Sequence, residues 1–449
     1  MSPTPLRRTL AAVAATALSL TLAACGTDTP DEPTTEDTTA EATPDDGAGL
    51  SGELLVWAWD PGVEPVAEAF MEANPDVTIE VVNAGTGNDH YTAVQNAVAA
   101  GSGIPDVAQM EYYALGQFSL AGSLADLSAL GASELDGTFT PGPWNAVTQG
   151  GTGVFGLPMD SGPMAMFYNA ELFEEHGLEV PTTWEQYLEV ARELKEKAPD
   201  SYMANDAGDA GFTTSMIWQA GGQPYTVDGT TVGIDFTDEG TTQFAELWNQ
   251  MLTDELVAPI SSWSDEWYQG LGDGTIATLT IGAWMPGNLV SGVPDGAGKW
   301  RVAPMPQWEE GGSASSENGG SAISVMEASQ NKELAYEFLE FTTIDEGVGI
   351  RIDGGAFPST TAELESEEFL SAEFEYFGGQ TANEVFADSA ANVVEGWTYL
   401  PFQVYSNSIF NDHVGAAYSS NGATTIAEGL EAWAQASKEY GQQQGFTIE

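Results

Sequence analysis

The chain predicts an α/β fold, and three stretches carry that prediction. Between Glu53 and Met110, strand-like apolar runs alternate with segments of helical spacing, the order that gives parallel strands joined by right-handed crossovers. The run Ala277-Thr-Leu-Thr-Ile-Gly282 reads as a buried strand ending in glycine, followed by Trp284 and then Pro286-Gly287, where a helix can begin. Ligands of open α/β sheets sit at the carboxyl ends of strands, so Trp284 is a candidate cleft floor; the alternative is a core tryptophan at a strand terminus. Third, the apolar run Leu157 to Asn169 is broken by Asp160-Ser-Gly-Pro163. Pro163 removes a backbone donor and Gly162 relaxes the backbone, so the strand can bend where it passes between two domains. A bulge within one sheet is the alternative.

Composition narrows the function classes. The 449 residues suffice for two or three domains, and 42% of them are hydrophobic, enough for substantial cores. Sixty-eight acidic residues face ten basic ones, a formal charge of −58. A nucleic-acid partner is excluded because nothing neutralises phosphates, and an anionic membrane surface would repel the chain. Such a balance suits a soluble protein working in high salt, where self-repulsion is screened. The single cysteine, Cys25, excludes a disulfide framework and a cysteine-based zinc site. His90, His176 and His413 stand too far apart for a helical pair of metal ligands. No metal and no cofactor are expected.

The first residues read as a targeting segment. Arg7-Arg8 precedes an apolar run from Leu10 to Leu22, short for a membrane span and the right length for a signal-peptide core. Residues 26–49 are Thr, Asp, Glu, Pro and Ala without a basic residue, which predicts a disordered, self-repelling linker.

The folded part then reads in order. Glu53 to Trp59 is a strand, closed by Asp60-Pro61-Gly62, with a helix over Glu64 to Asn74. A second strand (Val77 to Ala84), a second helix (His90 to Ala100) and a third strand (Asp106 to Met110) follow. The strand ends offer Trp59, Asp60, Glu111 and Tyr112 as site candidates. Gly151 to Gly156 matches G-x-G-x-x-G but leads into another apolar run, not into a helix that could receive a pyrophosphate, and reads as a turn. Thr182 and Glu185 have capping-box spacing ahead of a helix. Phe212 to Ala220 is a short apolar helix bearing Trp218, Asp228-Gly229 turns a hairpin, and Thr237 caps the next helix. Asn205 to Asp209 lacks the spacing of a calcium loop. Lys299 to Trp308 is a proline-bearing strand and a second candidate crossing; Asn318 to Met326 is another strand; from Phe357 the chain becomes mainly helical, with clear helices over Phe402 to Tyr418 and Thr425 to Gln442.

Several of these elements together carry a family likeness. Leu22-Ala-Ala-Cys25 resembles a bacterial lipobox. Phe70-Met-Glu-Ala-Asn-Pro75, Ser102-Gly-Ile-Pro-Asp106, Gly156-Leu-Pro158 with Met166-Phe-Tyr-Asn169, Pro181-Thr-Thr-Trp184, Gly282-Ala-Trp284 and Asn331 to Phe338 occur in the right order and spacing. From Gly52 to Glu449 the chain resembles the extracellular solute-binding proteins of carbohydrate ABC importers, the group related to maltose-binding protein. The resemblance implies a two-lobe periplasmic-binding-protein-like α/β fold with a hinge of crossing strands and a helix-rich C-terminal part. It implies lobe one at about 52–158 with 308–360 and lobe two at about 161–306 with 361–449, hinged near 158–163, 300–308 and 357–362. Residues 1–24 would be a lipoprotein signal peptide, 25–51 an acidic linker, and Cys25 the lipidated residue that holds the protein on the outer face of the cytoplasmic membrane. Expected partners are a carbohydrate and ABC permease subunits, with the protein a monomer and not an enzyme.

Sugar rings have apolar faces for Trp and Tyr and a hydroxyl rim for Asp, Glu and Asn. On that chemistry the expected ligand set is Trp59, Asp60, Glu111, Tyr112, Asp160, Trp218, Trp267, Trp284, Asn318 and Phe357, with Trp397 beside a loop as a further aromatic. Each has a structural alternative, as core or surface. Rival readings are a secreted glycoside hydrolase using paired carboxylates and a binder of polyamines or peptides.

Overall fold

A computed structural model describes residues 49–148, 151, 153–420 and 423–449. The expected signal peptide, lipobox cysteine and nearly all of the linker lie outside the described residues.

Two of the four sheets among the described residues organise residues 49–449. The first has the strand order Asp76–Val82, Ser51–Trp57, Val107–Glu111, Ser321–Val325, Leu157–Pro158. Its first three strands pair in parallel, while Ser321–Val325 runs antiparallel to both neighbours. Helices Val63–Ala73, Lys332–Thr343 and Glu346–Asp353 pack together beside it. The core of this first lobe holds Val56, Ala108, Met110, Ile323 and Phe338, all sealed from solvent.

The second sheet is antiparallel, in the order Thr278–Gly282, Met164–Asn169, Trp300–Ala303. Alternate side chains of its middle strand point to opposite faces. Met164 and Met166 enter one core, together with Trp184, Tyr187 and Trp248. Ala165 and Phe167 enter another, with Trp267, Trp300 and Phe386. The second lobe is therefore a sheet covered on both faces, mostly by helices, which is why Met164 to Phe167 is continuously apolar.

The chain passes between the lobes at three places. The interrupted strand is the first: Leu157–Pro158 pairs in the first sheet and Met164–Asn169 in the second. The second crossing lies at 316–321, where Asn318 N–H donates to Gly162 O at 2.7 Å and Ser321 joins the first sheet. The third runs from helix Glu346–Asp353 through Pro358, bridged to Asp160, into the second core at Phe357 and Leu364. The proline-bearing strand expected to cross does not. Trp300–Ala303 stays paired to Met166–Asn169, and Trp308 packs on Trp184 at 5.7 Å within the second lobe. Residues 308–316 therefore belong with that lobe.

Local signals moved by a residue in places. Thr183, not Thr182, caps helix Trp184–Lys197, and Gln186 bonds back to Thr182. Asp238, not Thr237, caps helix Glu239–Thr253. Phe402 to Tyr418 forms three short helices, Gln403–Ser408, Phe410–His413 and Gly415–Ser419. Helix Ile426–Gln443 carries a full capping box from Thr425 and Glu428.

Candidate functional site

A cavity of about 360 Å³ opens where the second sheet meets the first lobe. Its floor is the end of strand Thr278–Gly282. Strand hydrogen bonding continues one step past Gly282, with Ala283 N–H donating to Pro163 O at 3.0 Å, and then releases Trp284. The indole lies half-buried, and its Nε1–H donates to Asn318 O at 2.7 Å. Two glycines make this approach feasible. A Cβ on Gly162 would run into the Asn318 carbonyl, and one on Gly282 into both that carbonyl and the Trp284 Nε1 edge.

Helix Asp265–Asp273 supplies the adjoining wall. Ser264 caps it, its Oγ accepting from Trp267 N–H at 3.1 Å. Trp267 is buried, with Nε1–H donating to Asn205 Oδ1 at 2.9 Å. Asn205 in turn donates to Ser262 Oγ at 3.1 Å, tying the 205–209 loop to the loop before the helix. Trp263 stands between the other two indoles, 4.9 Å from Trp267 and 5.7 Å from Trp284 between ring centroids.

The polar end of the cavity centres on Asp206. It is buried and accepts from Trp248 Nε1–H and Gly208 N–H, both at 2.8 Å. Burial pushes its carboxyl up to about 7, against the opposing effect of those hydrogen bonds. Asp209 caps helix Ala210–Gln219 by accepting from Phe212 N–H at 2.7 Å. Asn318 Nδ2 donates to Ser215 Oγ at 3.2 Å, fastening the crossing segment to this helix. Tyr399, Gln403 and Asn407 complete the rim, with Gln403 Nε2–H donating to Asn407 Oδ1 at 2.8 Å.

From the first lobe come Glu111 and Tyr113. The Tyr91 hydroxyl accepts from Glu111 N–H and donates to Glu111 Oε2, each at 2.9 Å, which aims the carboxylate. Burial raises the Glu111 pKa. Among the described residues, no Lys or Arg lines the cavity, and no cluster of His, Cys, Asp and Glu could hold a metal ion.

The structure thus brings together Glu111, Trp267, Trp284 and Asn318 from the expected set. The other six do not line the cavity. Asp60 accepts from the Arg351 guanidinium at 2.9 Å, and Arg351, 1% exposed, also donates to Met159 O at 2.6 Å. Trp59 packs edge-on against His90 at 5.0 Å; burial pushes that imidazole down to about 4. The Tyr112 hydroxyl donates to Asp160 O at 2.6 Å, and the Asp160 carboxylate accepts from Ser321 N–H at 2.5 Å. These groups lock the strand ends of the first lobe at the crossing. Trp218 is buried and stacks on Trp397 at 4.9 Å. Phe357 packs into the second core against Phe369 and Phe386. Sequence reasoning weighed Asn205 to Asp209 only as a calcium loop, and it missed Trp263, Tyr399, Gln403 and Asn407. The polar stretch Asn205 to Asp209 ahead of an apolar helix was the available signal.

Two sheet-based lobes joined by three crossing segments, with a cavity of indole rings and carboxylates at their junction, define a two-lobed solute receptor. The chain belongs to the bacterial extracellular solute-binding protein family, whose pattern it matches over residues 60–348. It is 31% identical over 360 residues to a lactose-binding protein of Rhizobium radiobacter, covering 76% of this chain and 82% of that protein. An arabinooligosaccharide-binding protein of Halalkalibacterium halodurans is 26% identical, over 80% of this chain and 84% of that one. Among solved structures, an ABC-transporter-associated binding protein of B. animalis subsp. lactis, in complex with β-1,6-galactobiose, superposes with a TM-score of 0.84 at 40% identity. That match covers 89% of this chain and 100% of the other.

Proposed function

We propose that the cavity captures a neutral oligosaccharide of a few rings and presents it, lobes closed, to the permease of an ABC importer. The observation that carries this reading is the site's composition: an indole floor at Trp284 and Trp267 beside Asp206, Glu111, Asn318 and Gln403, with no cation. Indole faces suit the apolar faces of pyranose rings. Carboxylates and amides suit hydroxyls, with hydrogen bonds to charged acceptors worth about 1.5–3 kcal/mol each. The galactobiose complex and the lactose-binding relative make short galactosides the first ligands to try.

Lipobox-like Leu22 to Cys25 supports export and anchoring by lipid at Cys25, and relatives named as lipoproteins support the same location. Each buried CH₂ contributes only about 0.8 kcal/mol, so stable tethering takes more than one acyl chain. A thermal-shift and calorimetric screen against galactose, lactose, β-1,6-galactobiose and maltooligosaccharides tests the binding reading. Stabilisation by at least one neutral sugar, with no reducing ends released on incubation, is the expected result. Indifference to every sugar overturns the receptor reading, and release of reducing ends supports a hydrolase instead.

A further inference from the structure

A buried indole needs a partner for its one N–H, a group that can only donate. In this chain the partner is usually neutral. Trp184 donates to Gln219 Oε1 at 3.0 Å, Trp267 to Asn205 Oδ1 at 2.9 Å and Trp433 to the Ser406 carbonyl at 2.7 Å. Among the described residues, Trp248 alone gives its N–H to a carboxylate, Asp206 Oδ2 at 2.8 Å. An amide or a carbonyl would satisfy the indole at lower cost, because burying an ionisable group is penalised where no cation pairs with it. Asp206 is 4% exposed, and among the described residues no Lys or Arg lines its cavity. The acid is therefore explained by the cavity it lines and not by the needs of the indole behind it.

Trp248 is itself firmly held. It is sealed from solvent on helix Glu239–Thr253, stacked on Phe244 at 5.6 Å and packed on Phe212 at 5.1 Å between ring centroids. It does not line the cavity, whereas Phe212 and Asp206 both do. On the other oxygen of Asp206, Gly208 N–H donates to Oδ1 at 2.8 Å. Both N–H groups can only donate, so each carboxylate oxygen is fixed as an acceptor and the orientation of the group is set.

We propose that Trp248 is a positioning residue for capture: without touching the ligand, its N–H holds the Asp206 carboxylate as a fixed acceptor for a sugar hydroxyl. The proposal rests on the carbohydrate reading above. Ionisation supplies a readout that packing alone does not. The titratable groups around Asp206 are Asp209 on its own loop, Tyr418 on helix Gly415–Ser419 and Glu111 on the first-lobe wall of the cavity, none of them cationic. A hydrogen bond to the charged form favours that form, so loss of the indole N–H raises the pH at which Asp206 ionises. An affinity that uses the ionised acceptor climbs with pH around 7 in the wild type, and at higher pH once the N–H is gone.

Trp248→Phe keeps an aromatic ring between Phe212 and Phe244 and removes the N–H. Calorimetry with the neutral sugar that binds the wild type most tightly, at a series of pH values on both sides of neutrality, compares wild type, Trp248→Phe, Asp206→Asn and the double variant. The expected result at pH 7 is a loss of about fivefold in Trp248→Phe, since hydrogen bonds to charged groups are the stronger ones. Its curve of affinity against pH is displaced to higher pH, and in the Asp206→Asn background the same change costs less than twofold, because the indole acts through the acid. If the smaller ring prevents folding, the same measurements use benzothienylalanine in place of Trp248, which has the indole's shape and no N–H. An affinity within twofold of wild type overturns the proposal, as does an undisplaced pH curve or an equal loss in the Asp206→Asn background. A wild-type protein that binds no neutral sugar overturns the carbohydrate reading itself.

Discussion

The second-lobe wall of the cavity carries three indoles and the 205–209 loop, the first-lobe wall contributes Glu111 and Tyr113, and the rim from Tyr399 to Asn407 packs against both lobes, through Val404 on the first and Phe402 on the second. The contrast extends to how the walls are held. Second-lobe groups are fixed by bonds within that lobe and to the crossing segment, such as Trp267 to Asn205 and Trp284 to Asn318. Glu111 is fixed by Tyr91 inside the first lobe. A ligand can therefore dock on one lobe and be reported by the other. Since a ligand shifts the open–closed balance only by its extra affinity for the closed form, that extra affinity must come through groups held by the first lobe, Glu111 and Tyr113 together with the rim that packs on it.

The walls share an absence of cations, and the largest expected effect follows from it. An oxidised analogue such as lactobionate would bring a carboxylate among acids with no partner. Leaving a buried charge unpaired costs about 3–5 kcal/mol, so its affinity should fall more than a hundredfold below that of lactose in competition calorimetry. Near-equal binding would mean a cation reaches the site. Trp284→Ala comes next, removing the docking floor and its bond to Asn318; a loss of at least tenfold in sugar affinity without unfolding is expected, and unchanged affinity would take Trp284 out of the site. Glu111→Gln should be milder, about fivefold, because charge-assisted bonds are roughly twice as strong as neutral ones. Its loss should appear in closure, read by small-angle scattering with and without sugar. An undiminished compaction would remove the first lobe's reporting role.

The smallest effect concerns the crossing itself. Glu317 is 2% exposed and accepts from Gly162 N–H at 2.7 Å and Ser161 Oγ–H at 3.0 Å. Burial pushes its carboxyl up to about 7, and that of Asp160 up to about 6. With folded values above the unfolded ones, the folded state holds protons that the unfolded chain has released. Their contribution to stability is present below about pH 4 and is lost as pH rises through 6 to 7. The unfolding temperature should therefore fall by a few degrees between pH 5 and pH 8, and Glu317→Gln should flatten that slope. An identical slope in the variant would show that the dependence arises elsewhere in this acidic chain.

Periodicity and punctuation made the elements legible: Pro163 and Gly162 marked the first crossing, and Gly282 marked the strand end that presents Trp284. Trp267 and Asn318 were legible as polar-flanked positions beside loops. Asp60 was not, because its partner Arg351 lies far along the chain and only the packing of helix Glu346–Asp353 brings them together. Tyr399 and Gln403 escaped for a similar reason, since their place on the rim depends on short helices that no regular spacing announces. A positive φ at Trp263 cannot be read from residue type at all, because type argues against it.

The bond from Trp284 to Asn318 has a kinetic consequence. Asn318 is fastened to Gly162 and Ser215, on the same side as the floor, so opening the lobes need not dismantle the platform. Capture then begins on a half-site that is already assembled, and encounter limits its rate. Differences among sugars would be expressed mainly in how long each one stays.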